Sequence, residues 1–527
     1  MEPEALTLPG LVAHRAHDQA DVAFMVHDDD TLTFGELDER SRIVARGLIG
    51  EGVGPGARVG LLAPNGIEWA VTAIAAMRIG ATLVPLSTLL KARELVPQLR
   101  AAEVEVLVVA SEHRGRRPVD ELDGELPGIA AVAPQARHPG LPNLRRLVRT
   151  DSLPSGDGTV PLEVVDALAA RVTPGHDLVV LFTSGSRGAP KGVIHTHGGA
   201  IRATAAGLDI RGLGAGDRLY IPMPFFWTGG FGPGLLSVLV AGATLLTETD
   251  PTPASTIRFL EREQATLFRG WPDQAARIAA DPSFAGADLS SLRSGSLDAV
   301  LPAGLRSRPG ARSNIFGMTE TFGPYAGDRL DTDMPTSAWG SCGRPIGSVE
   351  VRIVDPDTGA ERPVGEQGEI EVRGPDVMRG MVGRARSDVF TVDGWYPTGD
   401  LGHVDGAGYL FYGGRADDMF KVSGATVYPI EVEAGLRTIP FVRQAFATDV
   451  EVDGAVVVGA MVTLVDDPTD HPVAELHLAA KAALSSFKVP RRWVIAASPD
   501  EVPMLASGKV DKAALQALIV DHGIAAP

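Results

Sequence analysis

Thr183, Ser184, Gly185, Ser186, Gly188 and Lys191 lie within one short stretch and combine hydroxyl donors, a backbone free to turn and one mobile positive charge. That combination suits a polyphosphate. Glycines let the chain turn so that successive N–H groups point inward as an anion-binding nest, and the hydroxyls and lysine complete the cradle. The spacing is not that of a Walker A loop, because no Gly-Lys-Ser/Thr follows a glycine at the required distance, and no Gly-x-Gly-x-x-Gly opens a dinucleotide fold here. Ser/Thr/Gly clusters also build ordinary turns, so the meaning of this one depends on what else the chain carries.

The residues leading into the loop, Asp177-Leu-Val-Val-Leu-Phe182, form a branched apolar run that predicts a buried strand with the loop at its end. From Thr31 to Val109 helical patterns alternate with short apolar strands. A helix opens at Phe34, a strand follows at Arg58-Val-Gly-Leu-Leu-Ala63, a helix passes through Trp69 to Met77, and Ala81-Thr-Leu-Val-Pro85 is again a strand. This alternation predicts α/β layers with parallel strands. Residues from about Ser111 to Thr159 are rich in Pro, Gly, Arg and Asp with weak periodicity, which predicts a long surface excursion with His113-Arg-Gly-Arg-Arg117 as a solvated basic patch.

A chain of 527 residues exceeds what one core organises, so two or more domains are expected. A hydrophobic fraction of 44% with 22% charged residues is an ordinary globular composition. The net charge of −18 argues against a general nucleic-acid binder or a protein of anionic membranes, so a nucleotide would need a local site. Cys342 is the single cysteine, which excludes an intramolecular disulfide and a cysteine metal site and points to a reducing compartment, the cytoplasm. The first residues, Met1-Glu-Pro-Glu-Ala5, lack the basic and apolar regions of a leader, and no run is long enough to cross a bilayer.

Further segments follow the loop in a fixed order: Ser313-Asn-Ile-Phe-Gly-Met-Thr-Glu-Thr321, Trp395-Tyr-Pro-Thr-Gly-Asp-Leu401, Gly413-Gly-Arg-Ala-Asp-Asp-Met-Phe-Lys-Val-Ser-Gly424 and Pro503-Met-Leu-Ala-Ser-Gly-Lys-Val-Asp-Lys512. With the loop they resemble the adenylate-forming superfamily, the acyl-CoA synthetases, luciferases and peptide-synthetase adenylation domains, from about Leu32 to about Leu515. The resemblance implies an α/β fold, with a large multi-subdomain N-terminal domain over 1–416 and a small mobile α+β C-terminal domain over 417–527. It also implies roles: Ser294, Gly295, Ser296 and Phe316 beside adenine, Thr319 at the α-phosphate, Glu320 on Mg²⁺, Asp400 at the ribose hydroxyls, Arg415 at the ribose or phosphate, and Lys509 as the adenylation lysine. Phe316 replaces the commoner tyrosine, and stacking on adenine uses the π face that both share. Asp417 falls at the family's hinge, and Lys421, Ser423 and Gly424 at its coenzyme A region.

The run Tyr220-Ile-Pro-Met-Pro-Phe-Phe-Trp-Thr-Gly-Gly-Phe231 predicts a pocket wall against a flat or bulky acid, formed by Phe225, Phe226, Trp227, Thr228 and Gly229 with Trp271 and Met318. Apolar runs of this kind also build cores. Many acyl-CoA synthetases have His where Trp227 stands, so analogy does not fix the acid. No Asp lies between Tyr220 and Phe231, which disfavours an α-amino acid, and Asp273 reads as a helix N-cap. The implied reaction is ATP- and Mg²⁺-dependent conversion of an aromatic, alicyclic or aliphatic carboxylic acid to acyl-AMP, then transfer to coenzyme A. A carrier-protein thiol, an amine or another small nucleophile is the alternative acceptor, and a nucleotide-binding protein without turnover is the reading from another class. The oligomeric state stays open, a homodimer included.

Overall fold

The run Val106-Leu-Val-Val109 is completely buried, and five strands pair in parallel in the sheet that holds it. In the computed structural model Thr82–Pro85, Arg58–Leu62, Val106–Val109 and Arg146–Arg149 pair in parallel, and Thr82–Pro85 pairs in parallel with Asp177–Gly185. The sheet continues antiparallel through Gly188–Thr196 to Gly380–Met381, so the parallel layer predicted from sequence ends in a hairpin. Helix Ile67–Arg78, apolar nearly all round, is buried except at Glu68 and packs into the main core.

The structure describes residues 6–131, 137–153, 160–185, 188–416, 418, 420–422, 425–452, 455–465, 472–505 and 509–526. They divide into two compact units, one of Met1–Val351, Val372–Tyr396 and Gly408–Leu410, the other of Arg352–Glu371, Pro397–Ala407 and Phe411–Pro527. The first unit also holds a five-stranded sheet ordered Leu267–Phe268, Arg218–Tyr220, Thr244–Thr247, Ala23–His27, Asp30–Thr33. Three short antiparallel strands, Phe316–Met318, Gly323–Gly327 and Arg344–Pro345, complete it.

The stretch expected to be a surface excursion is more ordered than its composition suggests. It contains helix Pro118–Glu125 and strand Arg146–Arg149, which extends the large sheet. Its basic cluster is engaged: Arg116 donates to Glu121 and to the carbonyls of Thr88 and Leu90, and Arg114 pairs with Asp250. Asp273 is not an N-cap. Trp271 occupies that position, Pro272 opens the helix, and Asp273 in the first turn pairs with Arg277 four residues on.

In the second unit the hairpin Val442–Val452 and Ala455–Leu464 pairs in parallel with Arg492–Ala496, and Ile524–Ala525 closes the edge. Helices Pro429–Arg437, Val473–Ala483 and Lys512–His522 accompany it, and Trp493 is fully buried in its core. The mixed α/β sheets agree with the fold class expected from sequence. No helix of the described residues is long and apolar enough to cross a membrane.

Candidate active site

The loop singled out by sequence is the tip of the hairpin Asp177–Gly185 and Gly188–Thr196. Cross-strand pairing sets Thr183 opposite Lys191 and Gly185 opposite Gly188. Residues opposed in this way present side chains on one face, so the Thr183 hydroxyl and the Lys191 charge serve the same side of the ribbon. Both are half-buried. Ser186 lies outside the described residues, and of Ser184, Gly185 and Gly188 only the backbone is described.

The return strand carries His195, whose Nε2 lies 2.7 Å from the Thr319 carbonyl. A carbonyl only accepts, so the neutral ring holds its proton on Nε2 and donates it there. Burial pushes the His195 pKa down to about 4. The Thr319 hydroxyl is 3.1 Å from that of Thr228. Glu320 follows, its carboxylate accepting from the Tyr396 hydroxyl at 3.1 Å and its carbonyl from the Met378 N–H at 2.7 Å. Met378 immediately precedes Arg379, whose N–H donates to Ile194 of the hairpin. Hairpin and Thr319–Glu320 turn are thereby fastened together inside one unit.

The backbone of that turn depends on Gly317. A Cβ there would sit 2.1 Å from the Gly323 carbonyl oxygen, so only glycine permits the two strands to close. Phe316 is half-buried, 5.4 Å from the Tyr325 ring at 63°, which fixes its plane. Ser294 and Ser296 flank Gly295 at φ 93°, and the Ser296 hydroxyl accepts from the Phe268 N–H at 3.1 Å.

A cavity of about 600 Å³ in the first unit is lined by Gly229, Gly295, Ser296, Asn314, Arg211 and Arg269, among others. Of the residues expected in an aromatic pocket only Gly229 lines it. Phe225 is fully buried in the main core, edge-on to Trp69 at 5.2 Å, and Phe226 is buried as well. Trp227, Thr228, Trp271 and Met318 are half-buried, with Trp227 edge-on to Trp271 at 6.1 Å. Sequence reasoning missed the two arginines because a single arginine at a helix end or beside a strand reads as a solvated charge.

Asp400, Arg415 and Lys509 belong to the second unit. Asp400 is buried, with its carboxylate 3.2 Å from Arg415 Nη1, which also donates to the Thr398 carbonyl at 2.9 Å. Lys509 is exposed, and its carbonyl accepts from the Leu505 N–H at 2.7 Å. Asp417, Ser423 and Gly424 lie outside the described residues, and only the backbone of Lys421 is described. Among the described residues no group of three or more His, Cys, Asp or Glu could hold a metal ion. Glu320 alone fits a cation that takes most of its ligands from phosphate oxygens and water, as Mg²⁺ does.

Residues 12–382 match the family model described as AMP-binding enzyme. A 3-[(3aS,4S,7aS)-7a-methyl-1,5-dioxo-octahydro-1H-inden-4-yl]propanoyl:CoA ligase of Mycobacterium tuberculosis (strain ATCC 25618 / H37Rv) is 32% identical over 97% of this chain and 99% of its own length. A feruloyl-CoA synthase of Amycolatopsis sp is 33% identical over 92% of this chain and 94% of its own. The solved anthranilate CoA ligase AuaEII, in complex with anthranoyl-AMP, shares the fold at a TM-score of 0.77 and 24% identity, covering 97% of each chain. The chain belongs to the AMP-binding enzyme family, among the acyl-CoA synthetase-like members of the adenylate-forming superfamily.

Proposed function

We propose that this protein activates a carboxylic acid with ATP and Mg²⁺ as an acyl adenylate and transfers the acyl group to coenzyme A. The observation that carries this reading is the Thr319–Glu320 turn, fastened to the Thr183–Lys191 hairpin through His195 and one residue from the cavity at Gly229 by way of Thr228. An acid in the cavity would direct its carboxylate toward that turn. A carboxylate oxygen forms a bond to the α-phosphorus while the bond to the pyrophosphate oxygen breaks, and negative charge builds on the phosphoryl oxygens. Thr183 and Lys191 bind the outer phosphates, and the Thr319 hydroxyl, oriented by Thr228, donates to the α-phosphoryl oxygen. Glu320 holds Mg²⁺, which when bound neutralises phosphate charge. Phe316 stacks on the adenine, Asp400 and Arg415 take the ribose, and Lys509 adds positive charge during adenylation. Lys421, Ser423 and Gly424 serve the thiol half-reaction, with Asp417 as the hinge between the two steps. The single cysteine supports a reducing compartment, the cytoplasm, and the net charge of −18 speaks against nucleic acid and anionic membranes as partners.

The test is pyrophosphate and AMP release from ATP and Mg²⁺ with a panel of carboxylic acids, with and without coenzyme A. Coenzyme-A-dependent AMP formation with accumulation of an acyl thioester is expected. Adenylate without thioester would transfer the acceptor role to another nucleophile, and no adenylate from any acid would refute the reading.

A further inference from the structure

Arg211 ends the helix His197–Arg211, and Arg269 follows the strand Leu267–Phe268; both line the 600 Å³ cavity. The guanidinium of Arg211 folds back over Gly207, where a Cβ would lie within 2.4 Å of Nη1, and it reaches toward Gly323. Arg269 donates through Nη2 to the Arg211 carbonyl, and its Nε is buried without a partner. Neither arginine forms an ion pair among the described residues. The acids nearest Arg269 are already engaged: Asp331 with Arg329, and Asp217 with Arg293 and Thr266. Arg312, on the same wall, is paired with Asp333, and Asp298 accepts from Ser307.

Two guanidiniums that face a cavity with no direct ion pair among the described residues are costly, because removing a charge from water without a contacting partner costs more than the remaining packing returns. The cost appears in their acidities. Burial lowers the Arg211 pKa to about 10, and burial together with repulsion from Arg211 and Arg293 outweighs the attraction of Asp331 and Asp217 and lowers that of Arg269 to about 9. By surface area both are only half-buried, since the cavity itself reaches them. A ligand is what would compensate them. Guanidinium presents planar donors matched to carboxylate or carbonyl oxygen. Hydrocarbon alone would leave the donors unsatisfied and complete their desolvation.

We infer that the acid activated here carries, besides the carboxylate that reacts, a second oxygen acceptor, a carboxylate or a ring carbonyl, bound by Arg211 and Arg269. This rests on the acid-activating reading above and narrows its substrate class from aromatic or alicyclic acids in general to those bearing such an acceptor.

The test uses matched acids of one ring size and chain length whose remote position carries CH₂, C=O or COO⁻, with kcat/KM read from pyrophosphate release. The oxygen-bearing acids are expected to exceed the hydrocarbon partner by about tenfold or more, which corresponds to about 1.4 kcal/mol. The carboxylate and carbonyl arms distinguish the two sources of the acceptor. Arg269→Met and Arg211→Met should each shrink that ratio, and Arg269→Lys should restore part of it. Arg211→Met does not touch the Arg269-to-backbone bond, so it keeps the test valid if Arg269→Met folds poorly. A ratio near one in the natural enzyme, or equal losses on all three acids in both variants, overturns the inference while leaving acid activation standing. If no acid is adenylated, calorimetric binding of the same three acids decides: tighter binding of the oxygen-bearing pair, lost in Arg211→Met, upholds the inference although the activity reading has failed. Indifferent binding overturns both.

Discussion

Thr319 is held from two sides, its hydroxyl by Thr228 and its carbonyl by His195, and the burial of the His195 ring makes stability depend on pH. The buried His195 ring has a folded pKa of about 4, below the ordinary 6.5, and that of buried His197 falls to about 3. The unfolded chain therefore binds protons first as pH falls, so the stabilisation by neutral His195 is complete above about pH 6.5 and is lost progressively down to its folded pKa. At about 1.4 kcal/mol per unit, His195 accounts for about 3 kcal/mol of lost stability across that window. Denaturant unfolding at pH 7 and pH 4 should show a smaller loss in His195→Gln, which can still donate to the Thr319 carbonyl; an equal loss in both proteins would remove His195 as the cause. Glu320 was singled out in the sequence only through the resemblance of Ser313 to Thr321 to the superfamily's signature, since a Thr-Glu pair by itself reads as an ordinary helix start. Its Tyr396 partner was not, since 76 residues separate them. Glu320→Gln removes the negative charge but keeps a hydrogen-bond acceptor for Tyr396, so folding should persist while adenylation falls by about 10²-fold, the scale of losing one preorganised electrostatic contact. Unchanged pyrophosphate release at limiting Mg²⁺ would remove Glu320 from the metal role.

At the scale of elements, branched apolar runs revealed the strands from Arg58 to Val109 with small errors at their ends, because burial on both faces leaves a continuous hydrophobic signature. Direction is another matter. The strand before Thr183 is parallel to one neighbour and antiparallel to the other, and nothing in an apolar run records which strand it will pair with. The same limit hid strand Arg146–Arg149, where an arginine at each end of Leu147-Val148 masks a sheet edge. The three-stranded element Phe316–Met318, Gly323–Gly327 and Arg344–Pro345 depends on a contact that sequence does not display, the approach of Gly317 to the Gly323 carbonyl. Gly317→Ala must push these strands apart, at about 1–3 kcal/mol for overpacking of this kind. The variant is expected to melt at lower temperature and, even below its melting point, to adenylate slowly, because Thr319 and Glu320 follow directly on the displaced strand. A lowered melting temperature with natural turnover would show that the turn does not set the geometry of catalysis.

For the whole molecule the division into two units separates the residues to which the proposed function gives roles. Thr183, Lys191, Thr319 and Glu320 are in the first unit, and Asp400, Arg415 and Lys509 in the second. That both sets would serve one reaction is an expectation that rests on the order of the motifs along the chain, since no local pattern couples a lysine near residue 509 to a loop near residue 183. The proposed function assigns Lys509 to the first half-reaction alone, where negative charge builds on the transferring phosphoryl group; in the second, a thiolate forms a C–S bond to the acyl carbon, the C–O bond to the phosphate breaks, and AMP departs. Lys509→Ala is therefore expected to abolish adenylate formation from acid and ATP while leaving thioester formation from supplied acyl adenylate and coenzyme A largely intact. The side chain is exposed, so its removal costs little packing, and an unchanged melting temperature would verify that the fold is preserved. Rapid-quench measurement of each half-reaction separately makes the comparison. Equal loss of both steps would mean that Lys509 acts throughout the cycle or supports the fold, and equal retention of both would take it out of the mechanism.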